Sequence, residues 1–318
     1  MSIIQRRADS DAKSGKYVAA IYMRKQYLST DYGETFIESN KDFTYLPAGV
    51  AIAEEAGAIF VVTKSTYNSV FVSRDNFATA DVFALPGVQF DNVGGVGITN
   101  NGETLYVLDI NRSLWTINTQ TNAFTVEWLN TGYEIEKLAM SSNGKYRVLT
   151  GKKYMFSYND YGVANSVKEI ASPSSTYNAL KDVVMTGDGK YVFYSFESGS
   201  SAYTGTFRLH QLDNWATVDR ISVYGLNDLV APSQICVSYT GKHIILRYTS
   251  YGNWISHDFG RSFTKLPIEN VNDIIMSSNG KYIYYRYFSS LYRSNDYGNT
   301  FSLVLDALNS SYALAISK

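Results

Sequence analysis

The chain has 318 residues, with 28 basic and 29 acidic side chains and a net charge of −1. That balance argues against a protein that grips nucleic acid or anionic lipid through bulk charge. A hydrophobic fraction of 45% is ordinary for a globular protein, but 27 Tyr and 16 Phe against 5 Pro lean the composition toward sheet.

The first segment, "MSIIQRRADSD", lacks the apolar core of a secretory signal, and no apolar run approaches the roughly 18 residues of a membrane span. The expectation is cytosolic synthesis without membrane insertion, with a virion or another non-secretory export route left open. A single cysteine, Cys236, excludes an intramolecular disulfide. Residues 1–13 read as an N-terminal arm ahead of one domain over 14–318.

From residue 14 a phrase recurs: "SGKYVAAIY" (14–22), "SNGKYRVL" (142–149), "GDGKYVFY" (187–194), "YTGKHIIL" (239–246) and "SNGKYIYY" (278–285), with weaker copies at 100–107 and 55–62. Gly among polar turn formers, followed by a β-rich apolar run, predicts a tight turn and then a strand. Before the turns lie short apolar strands: "VAI" (50–52), "VGI" (96–98), "LAM" (138–140), "VVM" (183–185), "ICV" (235–237) and "IIM" (274–276). Their starts are 46, 42, 45, 52 and 39 residues apart, the period of propeller blades with four strands each. The first turn phrase has no such strand before it, and "LAI" (314–316) at the C-terminus supplies one. The expected fold is therefore all-β: a seven-bladed β-propeller of four-stranded antiparallel blades, with the C-terminal strand closing the first.

A second phrase falls where third and fourth strands meet: "STDYGETF" (29–36), "SHDFGRSF" (256–263) and "SNDYGNTF" (294–301). Decayed copies are "SRDNFATA" (73–80), "SYNDYGVA" (157–164) and "QLDNWATV" (211–218). The pattern Ser-x-Asp-x-Gly-x-Thr/Ser-Phe resembles the Asp-box, or BNR repeat, of sialidases and of many unrelated propellers. The residues that carry the likeness are Asp31, Gly33, Asp258, Gly260, Asp296 and Gly298, and their expected role is structural. Asp accepts N–H bonds within the turn, Gly takes a conformation closed to other residues, and the aromatic tucks between sheets. A sialidase reading would imply three arginines, a Tyr–Glu pair, an Asp acid and an Arg-Ile-Pro segment. The chain has no such segment.

Other chemistry is thinly represented. His210, His243 and His257 read as lying on different units without ligand spacing, so no metal or cofactor is expected. Aligned on the turn glycines, Ile21, Thr63, Leu108, Thr150, Ser195, Arg247 and Arg286 fall at equivalent second-strand positions. Arg247 and Arg286 would then be neighbours suited to a carboxylate, sulfate or phosphate, unless each pairs with a nearby acid. Tyr248, Tyr287 and Trp254 beside them could offer a recognition surface, or fill clefts between blades. The expectation is a non-enzymatic platform for a protein or glycan partner, and the resemblance implies a virion-associated or host-recognition component. One alternative is a glycan-active enzyme using Glu197 with Asp109 or Asp188, its carboxylates converging at one mouth of the channel. The other is an assembly scaffold.

Overall fold

The structure is a computed structural model and describes residues 15–22, 25–39, 46–64, 69–84, 93–109, 113–128, 135–151, 154–159, 163–169, 179–197, 205–210, 216–224, 226, 230–269, 271–306 and 312–317. The 1–13 arm lies outside these, as does most of 197–205. The strands after the first turn phrase are β1 (Val18–Tyr22), β2 (Lys25–Ser29) and β3 (Ile37–Glu38). Next come β4 (Leu46–Ala53), β5 (Ala58–Lys64), β6 (Ser69–Ser73) and β7 (Asp81–Ala84), then β8 (Val93–Ile98), β9 (Thr104–Asp109), β10 (Ser113–Asn118) and β11 (Phe124–Trp128). They are followed by β12 (Lys137–Met140), β13 (Arg147–Thr150), β14 (Tyr154–Asn159) and β15 (Val163–Glu169), and by β16 (Ala179–Met185), β17 (Tyr191–Glu197), β18 (Gly205–His210) and β19 (Ala216–Ile221). The last are β20 (Gln234–Val237), β21 (Ile244–Tyr248), β22 (Gly252–Ser256), β23 (Thr264–Lys265), β24 (Asp273–Met276), β25 (Ile283–Tyr287), β26 (Ser290–Ser294), β27 (Ser302–Asp306) and β28 (Tyr312–Ile316).

Among the described residues these form seven four-stranded antiparallel sheets, six of them consecutive in sequence and the other ordered β28-β1-β2-β3. β28 pairs with β1 from Val18↔Ile316 to Tyr22↔Tyr312, so the two ends of the chain share one sheet. The first strands touch in the order β28, β4, β8, β12, β16, β20, β24 and back to β28. A closed ring of such sheets is a β-propeller.

Each cleft between neighbouring sheets holds its own apolar cluster. Val62, Val70, Leu105 and Val107 fill the cleft between the second and third sheets, and Ile245, Ile255, Ile274 and Ile283 that between the last two. Val18, Ala20, Leu291 and Tyr284 fill the cleft between the last sheet and the first. The core is thus a set of wedges rather than one mass. Sheet sequences with buried residues on both faces fit this, since each sheet packs on both sides: Arg147–Thr150 is buried throughout.

At one face of the ring, the turn phrases link sheet to sheet. Asn100 N donates to Ser142 O (2.8 Å), Ser142 N to Gly187 O (2.9 Å), and Tyr239 N to Ser278 O (2.7 Å). Gly189 shows why the phrase needs glycine. Its φ is +72°, and a Cβ there would stand 2.4 Å from the Tyr146 ring of the preceding sheet. The Tyr of one phrase therefore packs on the Gly of the next.

The eight-residue turns also lie on this face, where Tyr32 N donates to Lys16 O and Phe259 N to Lys242 O. In the first, Ser29 Oγ donates to Asp31 Oδ1 (2.7 Å), Gly33 N to Ser29 Oγ (2.7 Å), and Thr35 N and Oγ1 to the two Asp31 oxygens (3.0 and 2.6 Å). The same set recurs around Asp258 and Asp296. It also survives around Asp75, where Phe77 stands in place of glycine at φ +66°.

These bonds hold the carboxylates in their charged form. The Ser262 hydroxyl lowers Asp258 to about 2, against an ordinary 3.8. Asp75 is lowered chiefly by Thr79. For Asp31 and Asp296, partial burial pushes upward and is outweighed by Thr35 and Thr300. A depressed folded-state pKa contributes stability that is present above the unfolded value and lost as pH falls through the folded one. Urea midpoints should therefore drop between about pH 4 and pH 2, and the drop should be shallower in an Asp31→Asn, Asp258→Asn, Asp296→Asn triple variant. An equal slope in that variant would mean these turns do not set the acid limit.

Candidate functional site

The innermost strands begin on the opposite face, at one mouth of a central channel. The seven aligned second-strand positions occupy equivalent places there. Ile21, Thr63, Leu108, Thr150, Ser195, Arg247 and Arg286 pair with Ala313, Pro47, Gly95, Lys137, Asp182, Gln234 and Asp273. The mouth is lopsided: small or apolar on three innermost strands, and polar on the four consecutive strands β12, β16, β20 and β24.

This polar arc is laced from strand to strand. Lys137 Nζ donates to Asp182 Oδ1 (3.1 Å), and the backbone N of Ile235 donates to Asp182 Oδ2 (2.8 Å). Gln234 Nε2 donates to Asp273 Oδ1 (2.7 Å) and to Ile274 O (2.9 Å), while Ile274 N donates to Asp273 Oδ1 (2.9 Å). Among the described residues neighbouring innermost strands form no ladder with each other, and these side chains satisfy backbone groups along the gap. Burial pushes Asp182 upward, against Lys137 and the Ile235 N–H. It does the same to Asp273, against Gln234, Arg286 and Arg247. Asp182 and Asp273 carry no signal in the repeat phrases. The residue just before each apolar triplet would have shown them.

Arg247 donates from Nε to Val271 O (2.8 Å) and from Nη1 to Ser233 Oγ (3.0 Å). Burial lowers its pKa and the nearby Asp273 raises it, while Arg286 faces the same Asp273 across the β24–β25 pair. The chain itself thus places a carboxylate before both guanidiniums. Tyr248 is buried against the cluster around Phe193 and Leu246, and Tyr287 and Trp254 are half-buried. All five side chains gather at the same end of two adjacent sheets. Phe288, next to Tyr287, stands out from them. It is 69% exposed with φ +47°, its ring edge-on to Tyr287 at 4.7 Å.

The carboxylates of the enzyme alternative do not converge. Asp188 accepts from Thr186 Oγ1 (2.6 Å) in a turn before β17, whereas Glu197 ends β17 in an ion pair with Lys181 (2.6 Å). A seven-residue strand puts about 20 Å between them. Asp109 is buried at the end of β9, two sheets away.

One sequence reading needs correction: His243 and His257 belong to one sheet, not to different units. Their Nδ1 atoms are 2.8 Å apart and their rings flank Tyr297 of the next sheet. Two neighbouring turns of one sheet bring them together across 14 residues, a separation that no ligand spacing captures. Among the described residues no group of three or more His, Cys, Asp or Glu could hold a metal ion.

No protein-family profile matches the chain, and no curated protein matches it in sequence. Among solved structures it is similar to a GH74 xyloglucanase from Xanthomonas campestris, with a TM-score of 0.64 and 11% identity. The likeness is one of fold. It covers 91% of this chain and 51% of that one, so the chain spans about half the length of the xyloglucanase.

Proposed function

We propose that this chain is a non-catalytic seven-bladed propeller with Asp-box-like turns, a rigid platform that holds a protein or glycan partner on the face where the innermost strands begin. Phe288 carries the reading. It is the first residue of the two-residue turn between Tyr287 and Ser290, a position where Gly or Asn is the relaxed choice. A left-handed backbone in such a residue costs about 1–2 kcal/mol, and an exposed ring recovers little of that by folding. Tyr32, Phe77, Phe259 and Tyr297 take the same conformation inside the eight-residue turns, but Phe288 lies outside those turns and is the most exposed of these rings. Tyr251, 42% exposed, stands at the corresponding turn of the preceding sheet, and Arg247, Trp254, Arg286 and Tyr287 are on the strands that these two turns join. Aromatic tips backed by guanidiniums suit a recognition surface.

The glycan-active alternative needs two carboxylates available across a substrate, about 5–10 Å apart. Those at the channel mouth are already engaged by Lys137, Gln234 and backbone N–H groups, which favours the binding reading. A glycan array run beside affinity capture from the natural source tests it. The Phe288→Asn variant should lose at least tenfold in binding to whatever is captured while gaining about 0.5–1 kcal/mol in urea stability. Undiminished binding by that variant would remove Phe288 from the contact surface.

A further inference from the structure

The cavity inside the ring is a separate feature. It measures about 380 Å³, and all seven innermost strands contribute to its wall. That is within the range of small-molecule sites, about 300–1,000 Å³. It is also room for about a dozen waters at ~30 Å³ each. The wall carries a band of apolar side chains between polar ends. Val50, Val96, Leu138, Val184, Ile275 and Leu314 are half-buried there, exposed toward the channel.

The wall is uneven in side-chain size. At the middle of each innermost strand stand Ala315, Ala51, Gly97 and Ala139 on four consecutive strands, against Val184, Cys236 and Ile275 on the other three. Polar groups collect at the two ends. At the turn end are Asn100, Ser142 and Ser278, where the Tyr239 ring lies so close to Gly187 that a Cβ there would be 2.2 Å from it. At the other end are Gln234 and Asp182, the one charged residue of the wall among the described residues. Its two oxygens accept hydrogen bonds from Lys137, Ile235 N and Val183 N, and a carboxylate has room for about four. Lys137 is not part of the wall.

We propose that this channel binds a linear alkyl chain with a hydrogen-bond-donating head, an alkylammonium or an alkyl alcohol, its tail among the apolar strands and its head on Asp182. An alkyl body covers the apolar side chains of the wall, and the head adds a donor to a carboxylate with room for one more. The charge of Asp182 orders the probes: ammonium above alcohol, and alcohol above carboxylate. This site is distinct from the recognition face and stands or falls apart from it.

Cys236 makes the test direct. It is the sole thiol of the chain, half-buried in the wall, with its Sγ 3.0 Å from Ile274 O. Attack of its thiolate on Ellman's reagent forms a mixed disulfide and releases one thionitrobenzoate, so the colour reports access to the channel. Decylammonium and 1-decanol should slow the reaction of the full chain saturably, the ammonium by at least tenfold, and decanoate should not. In Asp182→Asn the ammonium should lose its advantage over the alcohol. Native mass spectrometry of the wild-type chain with decylammonium provides a second measurement that needs neither a reactive thiol nor a folded variant. It should count one probe per chain, and none in Val184→Phe, whose ring fills the space. No bound probe, several bound probes, or protection by decanoate equal to that by decylammonium would overturn the proposal.

Discussion

A chain ending before residue 312 should fail to fold cooperatively. β28 is the innermost strand of the first sheet although it comes last in sequence, and it touches both β4 and β24. Without it the ring opens, β1 presents a bare edge, and the packing of Ala315 with Ile52 and Val61 and of Ile316 with Val18 and Tyr284 is lost. Each large apolar side chain involved is worth about 1.5–3 kcal/mol, and a whole domain is stable by only about 5–15 kcal/mol. Urea titration followed by circular dichroism should give a broad, low-midpoint transition for the truncated chain. A synthetic peptide of residues 310–318 added in trans should restore a sharp one. A full-length midpoint without the peptide would mean that the ring is held closed by other contacts.

Tyr284→Ala should be among the most damaging single substitutions, at about 3–5 kcal/mol. Tyr284 is fully buried where the last sheet meets the first, and its ring lies against Gly33. Its hydroxyl donates to Tyr32 O, which also receives Arg293 Nη1 (2.8 Å), and Arg293 Nη2 reaches Glu34 at 2.7 Å. Three groups of the last sheet thus grip one turn of the first. Tyr284→Phe keeps the ring and removes one hydrogen bond, so it should cost only about 1 kcal/mol. Gly33→Ala should approach the damage of Tyr284→Ala, because its Cβ would meet the ring at 2.6 Å from a backbone at φ +73°. Chemical denaturation of the three variants checks the order. A cost for Tyr284→Phe equal to that of Tyr284→Ala would move the energy from packing to the hydroxyl.

What the sequence determined by itself is the local grammar. Turn phrases such as "SNGKY" and "SNDYG" are legible because their bonds close within about five residues: Asp296 to Ser294 and Thr300, Ser277 to Asn279 and Tyr282. Their period announced stacked four-stranded units. The orphan strand "LAI" announced that the ends meet, and the alignment on glycine placed Arg247 and Arg286 in register with their counterparts on the other sheets.

What only the tertiary structure decided lies between sheets. Lys137 meets Asp182 across 45 residues, and Gln234 meets Asp273 across 39. No phrase of the repeat encodes either pair, because they occupy a position where the repeats disagree. The same holds for the carboxylate set before the two arginines, for His243 against His257, and for Phe288, whose place in a two-residue turn becomes visible only once β25 and β26 are in register. Repetition specifies the frame through short-range hydrogen bonds. The channel and the exposed face are built from the residues that depart from it, and their chemistry depends on which departures the closed ring makes neighbours.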